Sequence, residues 1–323
     1  MKTIIVLLAA LILTTHVLAD KPKDIAKYLQ DISVTIKAES EYQKSEGSGV
    51  LITRKIGEEN VTFVWTAAHV VDNLKSTREV VDSRGLTRKV VEFKDAQIVK
   101  ELVDAGRRVG ELKMDASVIK YSDADDGHDL ALLLVRARDY GKASATFSKP
   151  DDVSHIVPIS TKLYHVGSLL GQMGANSMTT GIVSQVGRTL GKVEYDQTTV
   201  TAFPGSSGGG VYTEDGVYVG MVVRGAGEGF NLIVPIRRMS RWAAEHKIMW
   251  ALDGKLPVPS IEEIKKLPVE ATSSEKSSSS KGDKKSFPFL IRRYELHTER
   301  LPTLDVRKLN GPAPSHRLFH PLK

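Results

Sequence analysis

The sequence predicts an all-β protein of two packed β-barrels, with a helix after them and a disordered tail. Three observations predict it. From Gly47 to Pro235 the chain is a succession of short β-rich runs separated by Gly, Asp and Ser turns, which is the pattern of a barrel or sandwich. The length of that stretch suits two small barrels. A helical spacing of apolar residues is sustained in one place, residues 236–252, where Ile236, Met239, Trp242, Ala243 and His246 share a face.

Taken in order, residues 1–19 read as a signal peptide, with Lys2 as the positive start, an apolar run from Ile4 to Leu13, and Val17-Leu-Ala19 as a cleavage signal before Asp20. The apolar run is short for a membrane span, so an uncleaved anchor is the weaker reading. The protein is expected to be exported, to the outside or to a periplasm. Residues 20–46 form an N-terminal segment, with a short helix at 24–30 and an alternating strand at 32–38. Residues 47–252 form the main domain. Strands are expected at 61–66, 87–93, 117–121, 130–135, 157–166, 181–186, 200–203, 210–213, 217–223 and 230–234, with the crossover between barrels at about 137–157. In the helix, Arg237, Arg238, Arg241 and Lys247 fall away from the apolar face, whose Trp/Met stripe implies packing on the second barrel rather than a cofactor site. Residues 253–286 are a linker, polar and flexible over 272–285. Residues 287–323 are a basic tail, either disordered or a docking element for a surface, an acidic polymer or a partner, and open to proteolytic trimming.

Composition excludes several classes. The 323 residues contain no cysteine, which removes thiol nucleophiles, cysteine zinc sites and disulfide stapling, so an exported chain must rely on its core. No metal site is expected: no His-Glu-x-x-His pattern occurs, and the prolines around His316 and His320 argue against a helical pair there. No phosphate-cradling glycine motif is present, and no cofactor is expected. The net charge of +6 comes from Lys2 and from residues 260–323, where 13 Lys/Arg face 8 Asp/Glu, while 3–259 balances at 31 against 31. The domain therefore carries no electrostatic case for nucleic acid.

The chemistry lies in three motifs. In Phe203-Pro-Gly-Ser-Ser-Gly-Gly-Gly-Val-Tyr212, Ser207 sits within a glycine-rich turn. A hydroxyl needs a base to become a nucleophile, and the oxyanion formed on attack needs backbone N–H donors. Glycines permit the tight backbone that aims the N–H groups of Gly205 and Ser207 at one point. Alone, such a turn is equally a plain loop. Val64-Trp-Thr-Ala-Ala-His-Val-Val71 supplies His69, which by itself reads as a core histidine, and His128-Asp-Leu-Ala-Leu-Leu-Leu-Val135 supplies Asp129, which by itself reads as a turn residue. Together they give His, Asp and Ser in chain order, one of the three known orders of the serine triad.

These motifs resemble the trypsin-like, chymotrypsin-fold serine proteases, and most the HtrA/Deg-type protease domain. Gly47-Ser-Gly-Val-Leu-Ile52, Val166-Gly-Ser-Leu-Leu-Gly171, Met178-Thr-Thr-Gly-Ile-Val-Ser184, Gly216-Val-Tyr-Val-Gly-Met221 and Gly229-Phe-Asn-Leu-Ile-Val-Pro235 extend the likeness in order from about Gly47 to about Trp242. The resemblance implies a serine endopeptidase with protein or peptide substrates: His69 as general base, Asp129 fixing its tautomer, Ser207 as nucleophile, and an oxyanion hole of the Gly205 and Ser207 N–H groups. Ser206, next to the nucleophile, carries no expected role. The resemblance also puts Thr201 at the base of the specificity pocket, Gly225 and Gly229 on its open walls, and Val223, Arg224 and Gly225 on the strand that substrate joins. An uncharged Thr201 argues against selection of Lys or Arg and for an apolar residue before the cut, and Arg224 could recruit an acidic one. No zymogen activation site is visible, the 60-residue interval from His69 to Asp129 suggests an extra hairpin or regulatory loop, and no PDZ domain follows Trp242. A catalytically silent, peptide-binding relative is the alternative function. Oligomeric state is not legible.

Overall fold

The chain was described as a computed structural model over residues 24–148 except 82, 84, 86 and 126, residues 156–270, and the pairs 292–293 and 296–297. The expected signal peptide and most of the expected tail lie outside the described residues.

Helix α1 (Ile25–Asp31) starts where the Asp24 carboxylate accepts the Lys27 N–H, the usual satisfaction of a free helix-end donor. It leads into the first barrel: β1 (Ser33–Glu39), β2 (Lys44–Ile56), β3 (Glu59–Thr66), the one-turn α2 (Ala68–Val71), β4 (Lys75–Val81), β5 (Thr87–Phe93), β6 (Ala96–Asp104), β7 (Arg107–Ser122) and β8 (Leu130–Arg138). The strands run β1-β6-β7-β8-β3-β2, and β2 pairs back onto β1, closing the sheet. Closure removes the unpaired edges that an open sheet would expose. β4 and β5 stand apart as a two-stranded hairpin, the insertion expected between His69 and Asp129. The apolar run of β8 from Leu130 to Val135 is buried on both faces, and with Phe63, Val64 and Trp65 of β3 it fills the core.

The second barrel comprises β9 (Thr146–Phe147), β10 (Lys162–Gly167), β11 (Ser177–Leu190), β12 (Val193–Thr198), β13 (Gly210–Thr213), β14 (Val217–Gly225) and β15 (Asn231–Pro235). Its order is β13-β10-β11-β12-β15-β14, closed by β13 on β14, with β9 added in parallel to β14. Leu163, Val183, Val200, Val211, Val219, Val222 and Ile233 form its core. Two short strands from late in the chain complete the sheets: β16 (Arg292–Arg293) on β14 and β17 (Leu296–His297) on β2.

Several expectations are corrected. Residues 200–203 are not a strand. After Thr198 the ladder gives way to side-chain bonds, Thr198 Oγ1 to the Ile182 carbonyl and the Ile182 N–H to Thr199 Oγ1, which compete with sheet pairing and release the chain into the turn at Pro204. β10 begins at Lys162, later than expected, because Ser160 and Thr161 close a turn before it. The helix stops at Glu245 as α3 (Ile236–Glu245); Lys247 adopts a positive φ and a 3-10 turn at Met249–Ala251 follows. That segment packs against the first barrel as well as the second. Trp242 meets Trp65 edge-on at 5.9 Å, Trp250 meets Phe63 at 4.8 Å, and the Trp65 indole N–H donates to the Ala251 carbonyl. Arg237 and Arg238, off the apolar face of the helix, are buried: Glu194 and Asp196 of β12 pair with Arg237, and the Glu194 and His128 carbonyls accept from Arg238. A last helix, α4 (Ile261–Lys266), is closed by a Ser260/Glu263 capping box.

Candidate active site

His69 is carried by α2, a helix too short to be stable alone and fixed by burial of all four of its residues. Its ring is clamped from one side. Nδ1 lies 2.9 and 3.0 Å from the two carboxylate oxygens of Asp129, and the His69 backbone N–H reaches the same carboxylate at 3.2 Å. Asp129 is fully buried and has φ +55, a left-handed conformation that Asp tolerates better than most residues. Burial alone would raise its carboxyl pKa; the adjacent His69 ring, its hydrogen bonds and the positive charge of Arg224 outweigh that and bring it down to about 2. An ionised Asp129 can only accept, so Nδ1 carries the proton and Nε2 of a neutral ring offers a lone pair. Nε2 is buried and, among the described residues, has no hydrogen-bond partner.

Ser207 is held by backbone geometry. Gly205 and Gly208 have φ +95 and +87, and a Cβ on either would collide with backbone, at 2.4 Å from the Ser168 carbonyl oxygen and 2.1 Å from that of Ser48. Around them, the Ser206 N–H donates to the Phe203 carbonyl, Gly208 to Val222 and Gly209 to Ser206. Ser206 turns its hydroxyl inward to accept the Phe203 N–H. Among the described residues, the N–H groups of Gly205 and Ser207 form no hydrogen bond within the protein. Among the described residues, the Ser207 hydroxyl makes a single long contact, 3.5 Å to the Val223 carbonyl.

Ser48 fastens the turn to the first barrel, a role that its place in a Gly-Ser-Gly run did not announce. Its hydroxyl donates to the Gly205 carbonyl and accepts the Ser168 N–H, both at 2.7 Å, and its own N–H donates to the Ser207 carbonyl at 2.7 Å. The Ser48 carbonyl accepts from Thr66, whose strand leads into α2. His69, Asp129 and Ser207 are thus brought to one junction between the barrels.

The other residues singled out in sequence are less concentrated. Val223 is buried beside Ser207. Gly225 ends β14 at an edge of the sheet. Arg224 turns its guanidinium away from that edge, donating to the Ala124 carbonyl at 2.8 Å and lying 6.0 Å from the Tyr195 ring; there it supports the charge of Asp129. Thr201 is half-buried, its carbonyl accepting from Thr179. Gly229 has φ +76 with open space where a side chain would stand. Sequence reasoning missed Asp72, whose carboxylate takes the Tyr121 hydroxyl and whose pKa is raised by burial. Among the described residues no His/Asp/Glu cluster could hold a metal ion, and no helix is long and apolar enough to cross a membrane.

Residues 47–221 match the family model of the trypsin-like peptidase domain. No curated protein matches. Among solved structures the chain is similar to an HtrA-type protease with a tripeptide (TM-score 0.49, 16% identity, 74% of this chain and 70% of that one). It is also similar to the serine endoprotease from Yersinia pestis (0.47, 16%, 72% and 68%) and to Deg5 (0.47, 21%, 70% and 93%).

Proposed function

The chain belongs to the trypsin-like peptidase family, and on that premise we propose that it hydrolyses peptide bonds through a His69–Asp129–Ser207 triad and an acyl-enzyme. It is a serine endopeptidase, with proteins or peptides as substrates. The observation that carries the triad is the clamped imidazole. With Nδ1 bound by an ionised, buried Asp129, the lone pair of Nε2 is the base available to take the Ser207 proton. Asp129 also stabilises the imidazolium that forms. The Ser207 oxygen bonds to the substrate carbonyl carbon, and the two N–H groups of Gly205 and Ser207 receive the oxyanion, an interaction worth about 3–4 kcal/mol of barrier per donor. The imidazolium then gives its proton to the leaving amine, and water releases the acyl group by the same path.

Val223 and Gly225 would offer backbone to an added substrate strand, while Thr201 and Gly229 would shape the pocket for the residue before the cut. Export rests on the leader-like residues 1–19. The test sets casein cleavage by the chain beside its Ser207→Ala variant, together with labelling by a fluorophosphonate. Cleavage and labelling by the first and neither by the second supports the triad. Peptide binding with no labelling of Ser207 would turn the reading to the silent, peptide-holding alternative.

A further inference from the structure

Two strand edges flank Ser207, one from each barrel, and both are occupied by the same late segment of the chain. On the first barrel, β2 outruns β3: their pairing begins at Val50 with Trp65, so the edge of β2 before it is open on that side. Leu296 and His297 pair there with Glu46 and Ser45, antiparallel. On the second barrel, β14 pairs with β13 up to Met221, which leaves its last residues with a free edge. Arg292 and Arg293 pair there with Gly225 and Arg224, again antiparallel. Added strands at free edges gain main-chain hydrogen bonds whatever their side chains. What singles this segment out is that one short run of chain joins the two edges, with only Tyr294 and Glu295 between the pairings.

The two registers converge on the nucleophile. One step inward from Arg224 along β14 is Val223, whose carbonyl is the contact of the Ser207 hydroxyl. One step inward from Glu46 along β2 is Gly47, at which an added Cβ would stand 3.1 Å from the Ser207 carbonyl oxygen. We propose that the chain is its own substrate: Arg292–Arg293 and Leu296–His297, paired to the two edges, hold the segment as an intramolecular substrate, and Ser207 cuts the bond between Tyr294 and Glu295. The proposal rests on the peptidase reading above. Its span is feasible in one molecule, since the chain between Glu270 and Arg292 can reach about 70 Å when extended.

The step balances as ordinary hydrolysis. The Ser207 oxygen bonds to the Tyr294 carbonyl carbon while its proton passes to His69. The bond to the Glu295 nitrogen then breaks as that nitrogen takes the proton, freeing residues 295–323 with a new amino terminus. Water adds to the acyl-enzyme and gives its proton through His69 back to the serine, leaving Tyr294 as a carboxylate. The cut would free the cleft, so cleavage of other proteins would accelerate as the tail is lost.

The experiment follows the purified full chain by intact mass and terminal sequencing, beside Ser207→Ala and Glu295→Pro, with casein cleavage and fluorophosphonate labelling measured on the same samples. Glu295→Pro converts the bond to be cut into a prolyl bond, whose ring also restricts the residue before it. The expected result is a species ending at Tyr294, formed at a rate independent of protein concentration. Ser207→Ala should stay whole, and Glu295→Pro should stay whole and cut casein more slowly than the trimmed wild-type chain, because its cleft is not freed. Casein cleavage by the wild-type chain with its tail intact, or cut at another bond, overturns the self-cleavage and leaves the peptidase standing. Failure to cut either casein or the tail, with no labelling of Ser207, overturns the peptidase reading and the self-cleavage with it.

Discussion

In the first barrel, the proposed catalytic groups are held by side chains: the His69 ring is pinned by two contacts to a buried carboxylate, and Arg224 backs that carboxylate with positive charge. In the second, Ser207 is held by backbone: two glycines with positive φ, a set of turn hydrogen bonds, and the Ser48 clasp that ties the turn to its neighbour. The difference follows from the tasks. A base must have its proton location fixed, which needs a charged partner shielded from water. A nucleophile and its oxyanion donors must have their positions fixed, which needs a rigid main chain.

Each half of this contrast can be broken separately. The largest effect is expected for Ser207→Ala, which should reduce kcat by roughly 10⁵–10⁶-fold with an unchanged melting curve. Asp129→Asn comes next. It keeps the backbone conformation but lets the side chain donate to Nδ1, so the ring adopts the wrong tautomer; kcat should fall by roughly 10⁴-fold near neutral pH, as read from steady-state kinetics with folding checked by circular dichroism. On the backbone side, Gly208→Ala places a Cβ 2.1 Å from the Ser48 carbonyl oxygen at φ +87, and should lower the denaturant-derived stability by about 3–4 kcal/mol while abolishing labelling of Ser207.

The next prediction concerns pH. His165 lies buried beneath the Ser207 turn, its Nδ1–H donating to the Gly210 carbonyl, and burial pushes its pKa down to about 4. The folded state therefore favours the neutral ring. This contribution to stability is complete above the unfolded pKa of about 6.5 and is lost as pH falls from there towards 4, amounting to roughly 3 kcal/mol. His165→Asn, which can keep the bond to Gly210 without titrating, should flatten that part of the stability profile measured by urea unfolding. The smallest effect is expected away from both halves, on the β4–β5 hairpin. Arg78→Ala breaks an exposed pair with Glu92 and should change stability by about 0.5 kcal/mol or less.

How legible each part was depends on how local its cause is. β5 and β13 fall at the expected residues because alternation and turn residues act over a few positions. The strands β6 and β12 carry mixed polar sequences without clean alternation; each pairs with its hairpin neighbour, β7 or β11, and is held on its other side by a strand distant in the chain, β1 or β15. The burial of Arg237 is not legible locally because its carboxylates lie on β12, some forty residues earlier. Thr201 and Gly229 were marked from resemblance, whereas the Ser48 clasp and the two edges that receive residues 292–293 and 296–297 left no mark in the local sequence.

The sequence by itself determined the β-rich class, the identity and order of His69, Asp129 and Ser207, and the need for glycine around the serine. Each of these is set by residue chemistry or by backbone sterics over a few positions. Only the tertiary structure decided that β2 and β14 present open edges on either side of Ser207, and that one late stretch of chain joins both. An open edge is defined by which strand stops short beside it, and that depends on registers between strands far apart in the chain.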